Sequence, residues 1–80
     1  MTRRRVIVEE PVSLSLGRYL DDPVGLRDVL EAIDALADDP RPPSSVTWGS
    51  VLSRLHVGPY RVLYEIEETT IWVRHVDRVL

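Results

Sequence analysis

Eighty residues make one domain at most, and a chain this short buries a modest core. Its 44% hydrophobic and 29% charged residues place it among globular chains and exclude disorder. A net charge of −3 argues against binding nucleic acid through bulk charge, and the lack of cysteine excludes a disulfide framework or a thiolate metal site.

The N-terminal half carries the acidic balance. Residues 1–43 hold six Arg and nine Asp or Glu, whereas residues 44–80 hold four of each. Every basic residue apart from the two histidines is arginine. His56 and His75 are too few and too far apart for a metal motif, and no cofactor or metal is expected. No apolar run approaches the roughly 20 residues of a membrane span. Only "VIV" follows the basic Arg3–Arg5, so no signal-peptide core is present and the cytoplasm is the expected location.

In chain order, "RRRVIV" (Arg3 to Val8) has the β-branched content of a strand. "PVSLSLGRYL" (Pro11 to Leu20) reads as a short helix weakened by Gly17. Asp22 is placed to cap the next helix, with Pro23 at its first position. Over Val24 to Asp38 the residues Leu26, Val29, Leu30, Ile33, Leu36 and Ala37 fall on one helical stripe. "DDPRPPSS" ends that helix, because prolines cannot continue it. The pairs Asp21–Asp22 and Asp38–Asp39 flank the helix and read as caps and turns, not as a cation site. A loop is expected to carry Trp48 and Gly49, with Trp48 lying over the edge of the core.

Three strands close the chain. "LSRLHV" and "YRVLYEI" flank Gly58–Pro59, and "TIWVRHV" follows a turn at Glu67–Glu68 or Glu68–Thr69. The order is β-α-α-β-β-β, an α+β layout with two helices packed on one face of a small antiparallel sheet. Side chains alternate across a strand. If Gly58–Pro59 is a two-residue turn, Leu55, Val57, Tyr60, Val62, Tyr64 and Ile66 face the helices. Arg54, His56, Arg61, Leu63 and Glu65 then share the other face. Both registers of the last strand put Ile71, Val73 and His75 on the helix side and Trp72, Arg74 and Val76 with Arg61. Such a basic face bearing an aromatic residue is either an ordinary solvated surface or a site for phosphates and unpaired bases.

"LHVGPYRVLYEI", together with "VLEAIDALADDPRPP" and "IWVRHV", resembles the RelE/ParE toxin superfamily of bacterial type II toxin–antitoxin systems, and more closely its RelE branch. The resemblance runs through most of residues 1–80 and implies a single toxin domain. For that branch it implies a ribosome-dependent messenger-RNA endonuclease working through a basic open sheet face. Arg61 matches the family's arginine after the hairpin turn. Arg54 and His56 fall at two positions that are commonly basic, which makes Arg54, His56 and Arg61 the candidate catalytic residues. Trp72, Arg74 and Arg78 are candidate RNA contacts. The family's late tyrosine has no equivalent, since the chain reads "HVDRVL" to Leu80. The alternatives are a ParE-like gyrase inhibitor, or a catalytically weak relative that binds its antitoxin. All three imply a cognate antitoxin partner, and the first adds the ribosome and messenger RNA.

Overall fold

The computed structural model describes residues 3–49 and 51–79. Strand β1 (Arg5–Val8) leads into helix α1 (Glu10–Leu16), which tightens into a 3₁₀ turn over Gly17–Tyr19. Helix α2 follows (Pro23–Ala35), then β2 (Ser45–Trp48), β3 (Leu52–Val57), β4 (Tyr60–Ile66) and β5 (Thr70–Arg78). The five strands form one sheet in the order β1-β5-β4-β3-β2.

Local chemistry explains the helix boundaries. Asp22 Oδ1 accepts from Gly25 N at 3.1 Å, satisfying one of the free amides of the first turn, and Pro23 occupies the first helical position. Helix α2 ends at Ala35, three residues before the expected Asp38, and Leu36, Ala37 and Asp38 form a turn. Leu36 and Ala37 are nevertheless buried. The stripe thus runs past the hydrogen-bonded helix because the turn continues the same direction into the core.

The core lies between the two helices and one face of the sheet. Val12 and Leu16 of α1, four residues apart on one side of the helix, meet Val29 and Ile33 of α2 and Leu36. They pack on Leu55, Tyr60, Val62, Tyr64, Ile71, Val73 and Val76 of the sheet. Leu30, placed on the stripe by its spacing, is 45% exposed and lies at its margin. Two tyrosine hydroxyls sew the sheet to the segments around α2. Tyr60 donates to Asp22 Oδ2 at 2.9 Å, and Tyr64 donates to the Pro40 carbonyl at 2.7 Å. Gly25 permits the first contact, since a Cβ there would lie 2.9 Å from Tyr60 Cε2 and 2.1 Å from Asp22 Oδ2.

The hairpin β3–β4 has the expected register, with Val57 opposite Tyr60, His56 opposite Arg61 and Arg54 opposite Leu63. Gly58 adopts φ +57, the left-handed conformation that this two-residue turn needs.

Three features differ from the sequence reading. Residues 45–48, expected in a loop, form the edge strand β2, antiparallel to β3. Val46, Thr47 and Trp48 are β-branched or aromatic, and the sheet edge supplies the partners that their propensity alone could not predict. Strand β1 pairs with β5 in parallel, so the sheet is mostly and not wholly antiparallel. Most consequential, β5 bulges at Arg74. Ile66 opposes Ile71 and Tyr64 opposes Val73, but Leu63 opposes His75. One extra residue in one strand reverses every side chain beyond it. His75 and Asp77 therefore lie on the open face, while Val76 is buried in the core and Arg78 stands beside Tyr60 on the helix side.

Candidate functional site

The open face of β3, β4 and β5 gathers most of the chemistry. Arg61 and Asp77 are directly opposed across the strands. The guanidinium forks onto the carboxylate, Nε to Oδ1 at 3.1 Å and Nη2 to Oδ2 at 2.6 Å. These charge-assisted bonds hold Asp77 below the usual carboxylate range and push Arg61 up. His75 Nε2 lies 3.9 Å from the same Asp77 oxygen. Arg61 keeps its Nη1 edge free of this fork, so it can still donate to an incoming anion.

Arg54 has a different environment. Its guanidinium carbon lies 4.4 Å from the centroid of the Trp48 ring. Its Nε is buried without a hydrogen-bond acceptor. Among the described residues it forms no ion pair, whereas Arg61 pairs with Asp77, Arg74 with Glu9 and Glu65, and Arg78 with Asp21. A hollow of about 150 Å³ is walled by Trp48, Arg54, Arg61, Leu63, His75 and Asp77. A second, larger and more open hollow of about 440 Å³ shares Arg54 and Arg61 and is completed by His56, Gly58, Pro59 and Val79.

Of the six residues singled out from the sequence, Arg54, His56 and Arg61 come together. Trp72 is on the open face but at its far end, opposite Glu65. Arg74, at the bulge, bridges Glu9 and Glu65, and its guanidinium carbon lies 5.2 Å from the Trp72 ring centroid. Both carboxylates push its pKa upward. This cluster ties the start of α1 to the sheet and spends the Arg74 charge internally. Arg78 lies on the helix-covered face, 5.0 Å from the Tyr19 ring centroid and paired with Asp21 at 3.2 Å, so it is separated from Arg61 by the sheet. Leu80, at the place of the family's late tyrosine, lies outside the described residues.

Three members of the site were missed. Regular alternation puts His75 on the helix side, and the bulge moves it to the open face; Asp77 carries no face assignment from the sequence, and Trp48, expected as a lid over the core edge, lies beside Arg54 instead. The bulge does have a sequence trace. The buried residues of β5 are Ile71, Val73 and Val76, and their spacing changes from two to three at Arg74. The paired aspartates behave as caps and turns, with Asp22 capping α2, Asp39 accepting from Arg41 N, and Asp21 and Asp38 pairing with Arg78 and Arg3.

The family model described as "ParE toxin of type II toxin-antitoxin system, parDE" matches residues 16–79. The chain belongs to this toxin family, within the RelE/ParE superfamily. Among curated proteins, no sequence matches it. Solved structures agree on the fold. The archaeal RelE in complex with RelB from Pyrococcus horikoshii superposes with a TM-score of 0.78 at 24% identity, over 96% of each chain. The RelBE2 toxin–antitoxin complex from Mycobacterium tuberculosis gives 0.78 at 23% identity, over 96% of this chain and 99% of that one. The YoeB dimer from Staphylococcus aureus gives 0.74 at 8% identity, over 99% and 100%. The helix-backed sheet with an open face is thus the RelE/ParE-like architecture, and it persists where little sequence is shared.

Proposed function

We propose that the protein is the cytoplasmic toxin of a type II toxin–antitoxin pair, held by a cognate antitoxin, and that it cuts messenger RNA on the ribosome with its open sheet face. The observation that carries this reading is the convergence of Arg54 and Arg61 between two histidines, His56 in one hollow and His75 in the next. RNA cleavage needs a base, an acid and a cationic clamp around one phosphate. One imidazole takes the proton of a ribose 2′-OH as its oxygen bonds to the adjacent phosphorus. The other, protonated, gives its proton to the departing 5′-oxygen, and the P–O5′ bond breaks. The products are a 2′,3′-cyclic phosphate and a 5′-hydroxyl end. Arg54 and the free edge of Arg61 neutralise the charge on the non-bridging oxygens. Arginine cannot be the base, because it stays protonated near neutral pH. Imidazole as a residue type is the side chain suited to both proton transfers near neutral pH.

The test is induced expression of wild type, Arg61→Ala and His75→Gln in a bacterial host, following growth and mapping messenger-RNA 5′ ends. Codon-phased new ends that vanish in both variants are expected. Growth arrest without new ends would overturn the reading. A second reading, inhibition of DNA gyrase by binding, is favoured by one observation, that the matching family model is that of ParE. It expects loss of supercoiling by gyrase in the presence of the purified protein, and it fails if supercoiling is unaffected.

A further inference from the structure

We propose that Trp48 and Arg54 form a stacking subsite for one unpaired base of single-stranded RNA, next to the phosphate held by Arg54 and Arg61. The proposal rests on the reading that the open face takes RNA, and it adds a residue and a role. Trp48 is 45% exposed, a large exposure for an indole that no core contact requires. Its position is defined by the backbone. It sits opposite Leu52 at the end of β2, and Gly49 immediately after it adopts φ +66. That left-handed residue turns the chain back into β3 and sets the indole beside Arg54.

Three properties point to a nucleotide. The Arg54 guanidinium already lies over the indole at 4.4 Å, and this stack presents a flat cationic surface of the kind on which a base is held. Arg54 carries the open-face charge without a carboxylate partner among the described residues, and its Nε lacks an acceptor. The same two side chains wall the hollow that holds Arg61, His75 and Asp77. A base stacked at Trp48 would thus place its own sugar–phosphate beside both arginines and an imidazole. A duplex cannot use this surface, because its bases are already stacked and paired. The subsite is selective for single strands and tolerant of sequence, since every base has a π-face.

The experiment uses the full chain carrying Trp72→Phe, so that Trp48 is its sole indole. Short single-stranded oligouridylate and oligoadenylate are titrated while Trp48 emission is followed, with a double-stranded RNA of matching length and inorganic phosphate as comparisons. Both single strands are expected to quench Trp48, and the duplex and phosphate are not. Read by the fluorescence anisotropy of an end-labelled single strand, Trp48→Ala should weaken binding about tenfold with an unchanged dependence on salt. Trp48→Phe should restore most of the loss. Arg54→Ala should weaken binding and also flatten the salt dependence. Absence of RNA binding, equal quenching by duplex, or equal affinity of the Trp48→Ala protein would each overturn the subsite. The quenching titration leaves Trp48 in place, so it decides the matter even if Trp48→Ala fails to fold. Single-strand binding through Trp48 in a protein that cuts no messenger RNA in cells would leave the subsite standing and remove the cleavage reading.

Discussion

Tyr60 and Arg61 are neighbours in the chain, yet they belong to two different surfaces. On the helix-covered face, Tyr60 is 1% exposed, its ring meets Tyr19 edge-on with centroids 5.3 Å apart, and its hydroxyl is taken by Asp22. Arg78, opposite it, turns outward to Asp21. On the open face, the Arg61 and Asp77 side chains are 40% and 32% exposed, and they border a hollow with His75. On the covered face the polar hydroxyls of Tyr60 and Tyr64 each donate to one acceptor and hold the sheet to the segments around α2. Polar groups on the open face are shared, adjacent and within reach of solvent. The contrast separates stability from activity along a single strand, because alternate residues of β4 serve alternate purposes.

Substitutions on the covered face should therefore act through folding. The largest effect is expected from Tyr64→Ala, which removes a fully buried ring and its bond to the Pro40 carbonyl. A loss of about 3–5 kcal/mol is expected, comparable with the whole stability of a small domain. Urea unfolding measures it, and toxicity should fall only with the folded fraction. A well-folded Tyr64→Ala protein without toxicity would break the division between the faces.

Gly25→Ala comes next. The added methyl would lie 2.1 Å from Asp22 Oδ2 and 2.9 Å from the Tyr60 ring, forcing apart the cap of α2 and its contact with the sheet. Overpacking of this kind costs about 1–3 kcal/mol, and a thermal melt should show a lowered Tm. An unchanged Tm would mean that the Asp22 side chain leaves its cap without loss.

The smallest effect is expected on the open face. The Arg61 hydrogen bonds lower the Asp77 pKa from its ordinary 3.8, so the pair stabilises the fold above that value and loses its contribution as pH falls through the folded pKa. Wild type should melt slightly above Asp77→Asn at about pH 6, and the gap should begin to narrow below about pH 4 and close only beneath the folded pKa. A gap that persists in acid would show that Asp77 acts by packing and not by charge.

How much of this was legible in the sequence depended on how local the determinant was. The cap at Asp22, the stripe of α2 apart from its exposed Leu30, and the Gly58–Pro59 turn each depend on a few adjacent residues, which is why they are legible. The register of β3 against β4 followed from that turn alone. Two strand pairings were not local. Strand β2 exists because β3 offers it an edge, and residues 45–48 carried too short a pattern to announce it. The Arg74 bulge is held from elsewhere, by Glu9 before α1 and Glu65 on β4. No property of "WVRHV" requires it, although the step from Val73 to Val76 is compatible with nothing else once Val76 must be buried. That single residue decided whether His75 and Asp77 belonged to the core or to the candidate site.

The parallel pairing of β1 with β5 has a consequence for when activity can arise. Strand β5 lies between β1 and β4, so the first and last of the described strands are neighbours and an interior strand of the sheet is made after the other four. Until Thr70–Arg78 has been made, β1 has no partner strand, Val62 and Tyr64 lack Val76 and Val73 across the sheet, and Arg61 has neither Asp77 nor His75 beside it. Contacts that span the whole chain also form slowly. The core and the cluster of Arg61, Asp77 and His75 are therefore completed together, when β5 docks between β1 and β4.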